Sequence, residues 1–338
     1  MSDKRICKKC VLAENPPVIF LNEEGICNVC LDEGKTGPMP GREGLLETDL
    51  VKTLDKYRGK GEYDCLVMCS GGKDSTAALY FMKARYKLNP LVLTFDNGFE
   101  DKKAVMNARK ATNKLGVDLY YYKSWYMKEM FAEMVKRATN FPACSVCSLW
   151  YMQVVYRTAA QYEIPLIVGG WTKGQVSTEN EHAEMGYLCK DLPDFIAEMR
   201  KKYDKYKNFP RHMNDVKKRY RNSRKATLVS PHWFLPVTPE EYTEIIKKEL
   251  EWEEQDFSYP AGSTNCLFNY LGSYLCKKDM GFTHFHIECS KLIRSGEMTR
   301  EEAMKMLEIN PEKDPGSSLV RDVLDRLGLN KEDICGGV

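Results

Sequence analysis

No stretch of this 338-residue chain is apolar for long enough to cross a bilayer. No apolar segment follows the opening Met-Ser-Asp-Lys-Arg, where a secretory signal would carry one. A charge of one sign is missing too: 50 Lys plus Arg face 48 Asp plus Glu, a formal net of +2. No global pull toward nucleic acid or membrane follows from that balance. No internal repeat stands out, and no glutaminase module is visible. A cytoplasmic protein without membrane association is expected. Cysteine, by contrast, is plentiful. In a reducing compartment the thirteen cysteines point to metal or catalytic thiols rather than disulfides. The length exceeds one average domain and can bury a sizeable core.

The chain divides by pattern. Residues 1–35 carry two cysteine pairs, and 36–62 read as a polar linker followed by a helix over 45–58. From residue 63 to about 190, apolar strands alternate with helices: strands at 65–69, 90–96, 118–122 and 164–169, and helices at 102–115, 128–139 and 149–162. That order predicts an α/β fold with a doubly wound parallel sheet. Ligands in such sheets collect beyond the carboxyl ends of the strands. Residues 191–230 form a basic insertion in which Tyr203, Tyr206 and Tyr220 interleave with Lys and Arg. An RNA-contacting arm and a solvated helical insertion both fit that composition. Residues 231–338 read as a helical C-terminal region, in which His284 and His286 are compatible with ordinary packing.

The chemistry is concentrated in Ser70-Gly71-Gly72-Lys73-Asp74-Ser75, set between an apolar strand and a helix that opens near Thr76. Gly71 and Gly72 permit a tight turn and close approach of a ligand. Unpaired N–H groups at a helix start favour anions, the serine and threonine hydroxyls add donors, and Lys73 adds a full charge. Such a cradle fits a pyrophosphate. Asp74 suits that setting if a Mg²⁺ bridges it to the phosphates. The spacing is not that of a Walker A loop. It resembles the PP-loop of the N-type ATP pyrophosphatases, with signature Ser-Gly-Gly-x-Asp-Ser. The resemblance implies an adenine nucleotide alpha hydrolase-like fold, ATP as substrate, and adenylation of a substrate oxygen with release of pyrophosphate. The nucleotide site would then comprise Ser70 to Thr76, with Asp96, Gly169 and Gly170 on the same sheet edge. Lys73, Asp74 and Ser75 would be catalytic, and Lys173 and Gln175 would orient the substrate.

Two cysteine constellations add metal chemistry. Cys7-x-x-Cys10 and Cys27-x-x-Cys30 form a knuckle pair suited to one tetrahedral, structural Zn²⁺, with iron as the competitor. Cys144-x-x-Cys147 opens a helix, where a helix N-terminus favours thiolates. A distant third sulfur, from Cys266 or else Cys276 or Cys289, would complete a three-thiolate site for an iron–sulfur cluster. Buried packing thiols or a second zinc site are the alternatives. The part played by Cys189 is not readable.

Two further resemblances set the nucleophile. Over nearly its whole length the chain resembles the N-acetyl sugar amidotransferases of lipopolysaccharide and flagellin sugar pathways. The shared features include Cys-Lys-Lys-Cys with Cys-Asn-Val-Cys, Tyr-Asp-Cys-Leu-Val before the loop, Ile-Pro-Leu-Ile-Val-Gly-Gly, and the segment from Ile293 to Ala303. That family implies an acetamidino product and ammonia from a partner glutaminase. Locally, Cys-Ser-Val-Cys-Ser at 144–148 and Tyr-Arg-Thr-Ala-Ala resemble the PP-loop tRNA 2-thiolation enzymes. That likeness implies a [4Fe–4S] cluster on Cys144, Cys147 and Cys266, whose free iron carries sulfide. After the next strand those enzymes carry a Gly-His-x-x-Asp-Asp type loop, and this chain has Gly-Gly-Trp-Thr-Lys-Gly-Gln instead. The leading expectation is adenylation followed by sulfur transfer to a small molecule of the sugar or nucleobase class. Ammonia transfer to a sugar is the first rival, tRNA thiolation a further option, and a non-catalytic nucleotide-binding or metal-sensing protein the reading from another class. A sulfur or ammonia donor protein and a homo-oligomeric state are expected.

Overall fold

The computed structural model describes residues 4–32, 45–172, 175, 183–220, 226–260, 262–313 and 316–334. Lys173, the linker at 33–44 and residues 221–225 of the basic insertion lie outside them. Five parallel strands form the sheet: β1 (Cys65–Met68), β2 (Pro90–Asp96), β3 (Asp118–Lys123), β4 (Leu166–Val168) and β5 (Thr227–Val229). Their order is β3-β2-β1-β4-β5. Both faces are covered, so β1, β2 and β4 are buried throughout and need apolar residues at nearly every position. Side chains still alternate. Leu66, Met68, Leu91 and Leu93 enter one core layer, whereas Cys65, Val67 and Val92 enter the other.

Eight helices matter below: α1 (Lys73–Tyr80), α2 (Lys102–Leu115), α3 (Lys128–Lys136), α4 (Ala143–Gln161), α5 (Pro239–Leu250), α6 (Leu267–Met280), α7 (His284–Arg294) and α8 (Gly316–Leu327). Asp101 caps α2 by accepting from the N–H groups of Lys103 and Ala104, and Gly116 ends it in the left-handed region. From β1 the chain builds outward through β2 and β3, then returns to the other side of β1 for β4. The reversal opens a crevice at the carboxyl ends of β1 and β4, where open α/β sheets bind ligands. The fold class is as the alternation predicts, with one addition. β5 is a three-residue strand that was not foreseen, and Gly169 N donates to its Val229 O at 3.0 Å. Among the described residues, no helix is long and apolar enough to cross a membrane.

The described part of the insertion between β4 and β5 is largely helical, including Leu192–Lys202 and Met213–Arg219. Its tyrosines turn inward. Tyr206 is fully buried and its hydroxyl donates to the Tyr126 carbonyl, while Tyr220 stacks on Tyr156. Lys202 pairs with Glu133 at 2.8 Å, and Lys205 with Glu129. Packing against α3 and α4 thus occupies Tyr206 and Tyr220.

The N-terminal knuckle docks on the C-terminal helices. Asn15 Nδ2 donates to Met280 O at 2.7 Å, and Arg300 Nε donates to the carbonyls of Cys7 and Cys10 at 3.2 and 3.0 Å. Nearby, His284 and His286 are packing residues. Burial holds His284 down at about 4 and His286 at about 3. His284 Nδ1 is buried with no partner among the described residues, and His286 Nδ1 accepts from Thr283 N at 3.2 Å. Their folded pKa values lie below the unfolded value of about 6.5. As pH falls through that window the unfolded chain takes up protons that the folded chain refuses, so stability is lost. His284→Phe should flatten the fall in melting temperature between pH 6.5 and 4, read by thermal unfolding across a pH series. An unchanged slope would assign the acid sensitivity elsewhere.

Candidate active site

β1 runs directly into the Ser70–Ser75 turn, and α1 starts at Lys73. Gly71 has φ of +83°, and a Cβ there would lie 1.8 Å from the Ala104 carbonyl oxygen. No other residue fits. The Gly71 carbonyl is anchored by Trp252 Nε1 at 2.9 Å, Asn107 Nδ2 at 3.3 Å and Gln255 Nε2 at 3.4 Å. Ser75 Oγ accepts from Ser70 N at 3.1 Å and donates to Gly72 O at 3.2 Å, which closes the turn. The loop from β4 presses on the start of α1, since a Cβ on Gly170 would sit 2.5 Å from Ser75 N.

Between these elements lies a cavity of about 250 Å³, bordered by Ser70, Lys73, Asp74, Gly170, Trp171 and Asn265 among others. The first-turn N–H groups of α1 have no intrahelical partners and carry the positive end of its dipole. Lys73 Nζ donates to Asp74 Oδ1 at 2.7 Å, and Tyr242 OH donates to the same oxygen. Burial, and then the Asp74 charge, raise the Tyr242 phenol well above its usual range, so it stays a donor. His232 Nε2 lies 2.8 Å from the Asp74 carbonyl, and burial lowers its pKa so that the ring is neutral. Asp74 is thus held from two sides. Tyr242→Phe should lower pyrophosphate release on the order of tenfold, since hydrogen bonds to charged groups contribute about 1.5–3 kcal/mol. Initial rates at saturating ATP and Mg²⁺ would check this, and an unchanged rate would remove Tyr242 from the site.

Two residues expected in the nucleotide site face elsewhere. Thr76 is fully buried, its N–H donates to Gly72 O at 3.0 Å, and its hydroxyl packs 4.0 Å from Cys69 Sγ. Asp96 is also buried and does not border the cavity. It accepts from Gly98 N at 2.7 Å and Tyr121 OH at 2.6 Å, and pairs with Lys123 at 3.1 Å. Those bonds pin the turn after β2. Gly169, Gly170 and Gln175 do border the cavity. Lys173 lies outside the described residues.

The second cysteine group lies deep beside this cavity. An antiparallel bridge joins Glu100, after β2, to Cys266, the residue before α6. Asn97 Nδ2 donates to both Cys147 Sγ at 3.4 Å and Cys266 Sγ at 3.5 Å. Cys144 Sγ donates to Asn269 Oδ1 at 3.2 Å. Cys276 and Cys289 do not join them. Cys276 Sγ donates to Asn140 O at 3.0 Å within the knuckle core, and Cys289 is buried in the main core. Cys189 Sγ meets Ser145 Oγ at 3.3 Å.

The expectation that the helix start makes thiolates of Cys144 and Cys147 is corrected. Burial pushes both thiols up to about 12, and the Cys266 thiol also rises. The helix dipole is outweighed by desolvation, which favours the neutral thiols. Glu100 stands among them, pushed up to about 8 by burial and by the charges of Asp96 and Asp101. By whole-residue exposure, Cys144, Cys147, Cys266 and Glu100 are each half-buried.

Among the described residues, Cys7, Cys10, Cys27 and Cys30 form a set whose ligand atoms all lie within 4.8 Å of one another. Cys10 and Cys27 sulfurs are 3.7 Å apart, and Cys7 and Cys30 sulfurs 4.0 Å. A tetrahedron with Zn–S bonds of about 2.3 Å has edges of about 3.8 Å, so this set fits one ion. Among the described residues, Cys144, Cys147 and Cys266 do not form a set of that tightness.

Tyr242, His232, Trp252, Asn265 and Glu100 were not singled out from the sequence. None sits in a local motif; Tyr242, His232, Trp252 and Asn265 reach the site by a long-range return of the chain, and Glu100 follows the end of β2. Glu288 on α7 belongs with them, since it feels both Asp74 and Lys73, and burial raises it to about 7.

The fold and the loop together define the class: a doubly wound α/β protein with a PP-loop-type turn at the sheet's switch point. Within it, residues 264–335 match the model of the LPS biosynthesis protein WbpG-like, C-terminal domain. The chain is 26% identical over 304 residues to the uncharacterized protein MJ1599 of Methanocaldococcus jannaschii, covering 89% of this chain and 92% of that one. Among solved structures it is similar to the U34-tRNA thiolase NcsA from Methanococcus maripaludis with its [4Fe–4S] cluster, at a TM-score of 0.39 and 16% identity over 92% of this chain and 91% of that one. It is also similar to NMN synthetase from Francisella tularensis, at a TM-score of 0.37 and 13% identity over 84% and 94% of the two chains.

Proposed function

We propose that this chain uses ATP to adenylate a carbonyl or amide oxygen of a small substrate, and that sulfide then displaces AMP to give a thiocarbonyl product. One observation carries the reading. Asn265 and Cys266 are consecutive, yet Asn265 Nδ2 donates to Ser70 Oγ at 3.1 Å while Cys266 shares the Asn97 amide with Cys147. The phosphate cradle and the cysteine recess are therefore one residue apart, close enough for an activated carbon to meet a sulfur nucleophile.

The chain's own groups divide the work. First-turn N–H groups of α1 and Lys73 receive the pyrophosphate and the charge that develops as it leaves. Asp74, steadied by Tyr242, supplies the carboxylate for Mg²⁺. Lys73 can move from Asp74 to a phosphate once the metal takes that carboxylate. A cluster bound by Cys144, Cys147 and Cys266 would supply an iron without a cysteine ligand, where sulfide can be held. Lys173 and Gln175 remain candidates for orienting the substrate, and a sulfur donor protein is implied.

A second reading has its own support. The match to the WbpG-like domain includes Asn265 and Cys266, and favours a sugar acceptor of the lipopolysaccharide type. In that reading ammonia from a partner glutaminase attacks the same adenylated carbon and yields an acetamidino group. Iron and acid-labile sulfide in anaerobically purified protein decide between the two. The sulfur reading expects about four irons per chain, lost in Cys144→Ser. Zinc alone, unchanged by that substitution, would overturn it in favour of ammonia.

A further inference from the structure

We infer that Glu100 is a fourth, exchangeable ligand, closing the iron that the three cysteines leave without a thiolate; the inference rests on the sulfur-transfer reading above. Backbone geometry places the group. Asp101 N donates to Asn265 O and Leu267 N to Phe99 O, both at 2.8 Å, so Glu100 and Cys266 lie opposite each other as a non-hydrogen-bonded antiparallel pair. In such a pair both side chains project to the same face, with Cβ atoms about 4.5–5.5 Å apart. Cys266 in turn shares one amide with Cys147, and Cys144 lies a helical turn before Cys147 on α4. The carboxyl group thus lies near enough for its charge to act on all three thiols.

The chemistry of its surroundings points the same way. Among the described residues, Glu100 has no hydrogen-bond donor and no cation to pair with, and the nearest charges, Asp96 and Asp101, share its sign. A carboxyl group held deep in a protein without a partner is costly. Asp96, four residues before Glu100 in the same turn region, shows the contrast with its three bonded partners. A metal held by Cys144, Cys147 and Cys266 would be such a partner. Carboxylate is a hard ligand and sulfide a soft one, so on iron the Glu100 carboxylate would be open to replacement by sulfide, one anion for another with no change of oxidation state. Glu100 would protect the cluster at rest and vacate the position when the nucleophile arrives.

The test uses full-length protein reconstituted anaerobically with ⁵⁷Fe, as wild type, Glu100→Gln and Glu100→Ala. Each is exposed briefly to EDTA under mild oxidation, and iron is counted alongside Mössbauer and EPR spectra. The wild type is expected to keep about four irons and both variants to fall to about three, with the EPR signal of a three-iron cluster. Before that treatment, the Mössbauer sub-spectrum of one iron in four should shift in both variants. Zinc content and thermal unfolding report whether each variant is folded. The near-isosteric Gln decides if Ala is not. Four irons in the wild type with superimposable variant spectra and equal iron retention would overturn the role of Glu100 alone. A wild type without iron would overturn the sulfur-transfer reading, and this inference with it.

Discussion

Asp74→Asn is expected to lower ATP-dependent pyrophosphate release by about 10²–10³-fold, the scale seen when one preorganised charge-stabilising group is removed. Asp74 sits at the start of α1, where its carboxylate accepts from Lys73 and Tyr242 through the same oxygen. The amide keeps the shape of the side chain and an oxygen for the Tyr242 hydroxyl. It loses the negative charge, and with it the one acidic group in the α1 first turn able to bind Mg²⁺ beside the phosphates. It also frees Lys73 to settle on phosphate in the ground state. ATP binding should therefore survive, or even tighten, while turnover falls. Pyrophosphate release coupled to a pyrophosphatase, with ATP affinity measured on the same preparation, separates the two effects. Unchanged release would overturn the assignment of this loop as catalytic. Loss of ATP binding together with turnover would instead make Asp74 a residue of the fold.

Cys10→Ser should cost the chain one zinc and the stability of its N-terminal unit. Structural zinc sites bind with apparent energies of about 10–16 kcal/mol, comparable to the whole stability of a domain at about 5–15 kcal/mol. Here the four sulfurs are the centre of a small core that also contains Leu12, Ile19, Leu188, Phe282 and Ile287. Three of the supporting contacts are hydrogen bonds onto knuckle or helix carbonyls, from Asn15 and Arg300. Without the metal, the Cys7–Cys10 turn that Arg300 grips has little to hold it. The apolar face formed by Leu188, Met280, Phe282 and Ile287 would then be open to water. Metal analysis should read one zinc fewer per chain, and thermal unfolding should show a lower, broader or split transition with aggregation. An unaltered melting curve after loss of zinc would mean that the packing alone supports the knuckle. Iron in place of zinc would retain the destabilisation and alter the metal identified.

Much of this protein is written locally. The α/β alternation is legible because a parallel sheet covered on both faces demands uninterrupted apolar strands, as in Pro90–Asp96. The phosphate turn is legible because two glycines between a strand and a helix leave few alternatives, and the knuckle because each Cys-x-x-Cys turn presents two sulfurs together. Less is visible where a property depends on what surrounds a residue. β5 is only Thr227 to Val229, too short to show a period, and it exists because β4 offers it an open edge. Asp96 stands at the ligand-bearing end of its strand, and its role was decided by Tyr121 and Lys123 on the neighbouring strand. The thiols of Cys144 and Cys147 show the same limit. Helix position is a sequence property, but desolvation is a tertiary one, and desolvation is the larger effect.

The sequence by itself determined the class of sheet, the glycine turn between β1 and α1 and the four-cysteine knuckle, since each depends on residues within a few positions of one another. Tertiary structure alone decided that Cys266 rather than Cys276 or Cys289 stands beside Cys144 and Cys147, and that Tyr242 and Trp252 hold the phosphate loop. It also decided that Glu100 faces the three sulfurs. Most of those contacts join residues more than a hundred positions apart in the chain, and no spacing rule spans that distance: only the path of the backbone through the packed core brings them together.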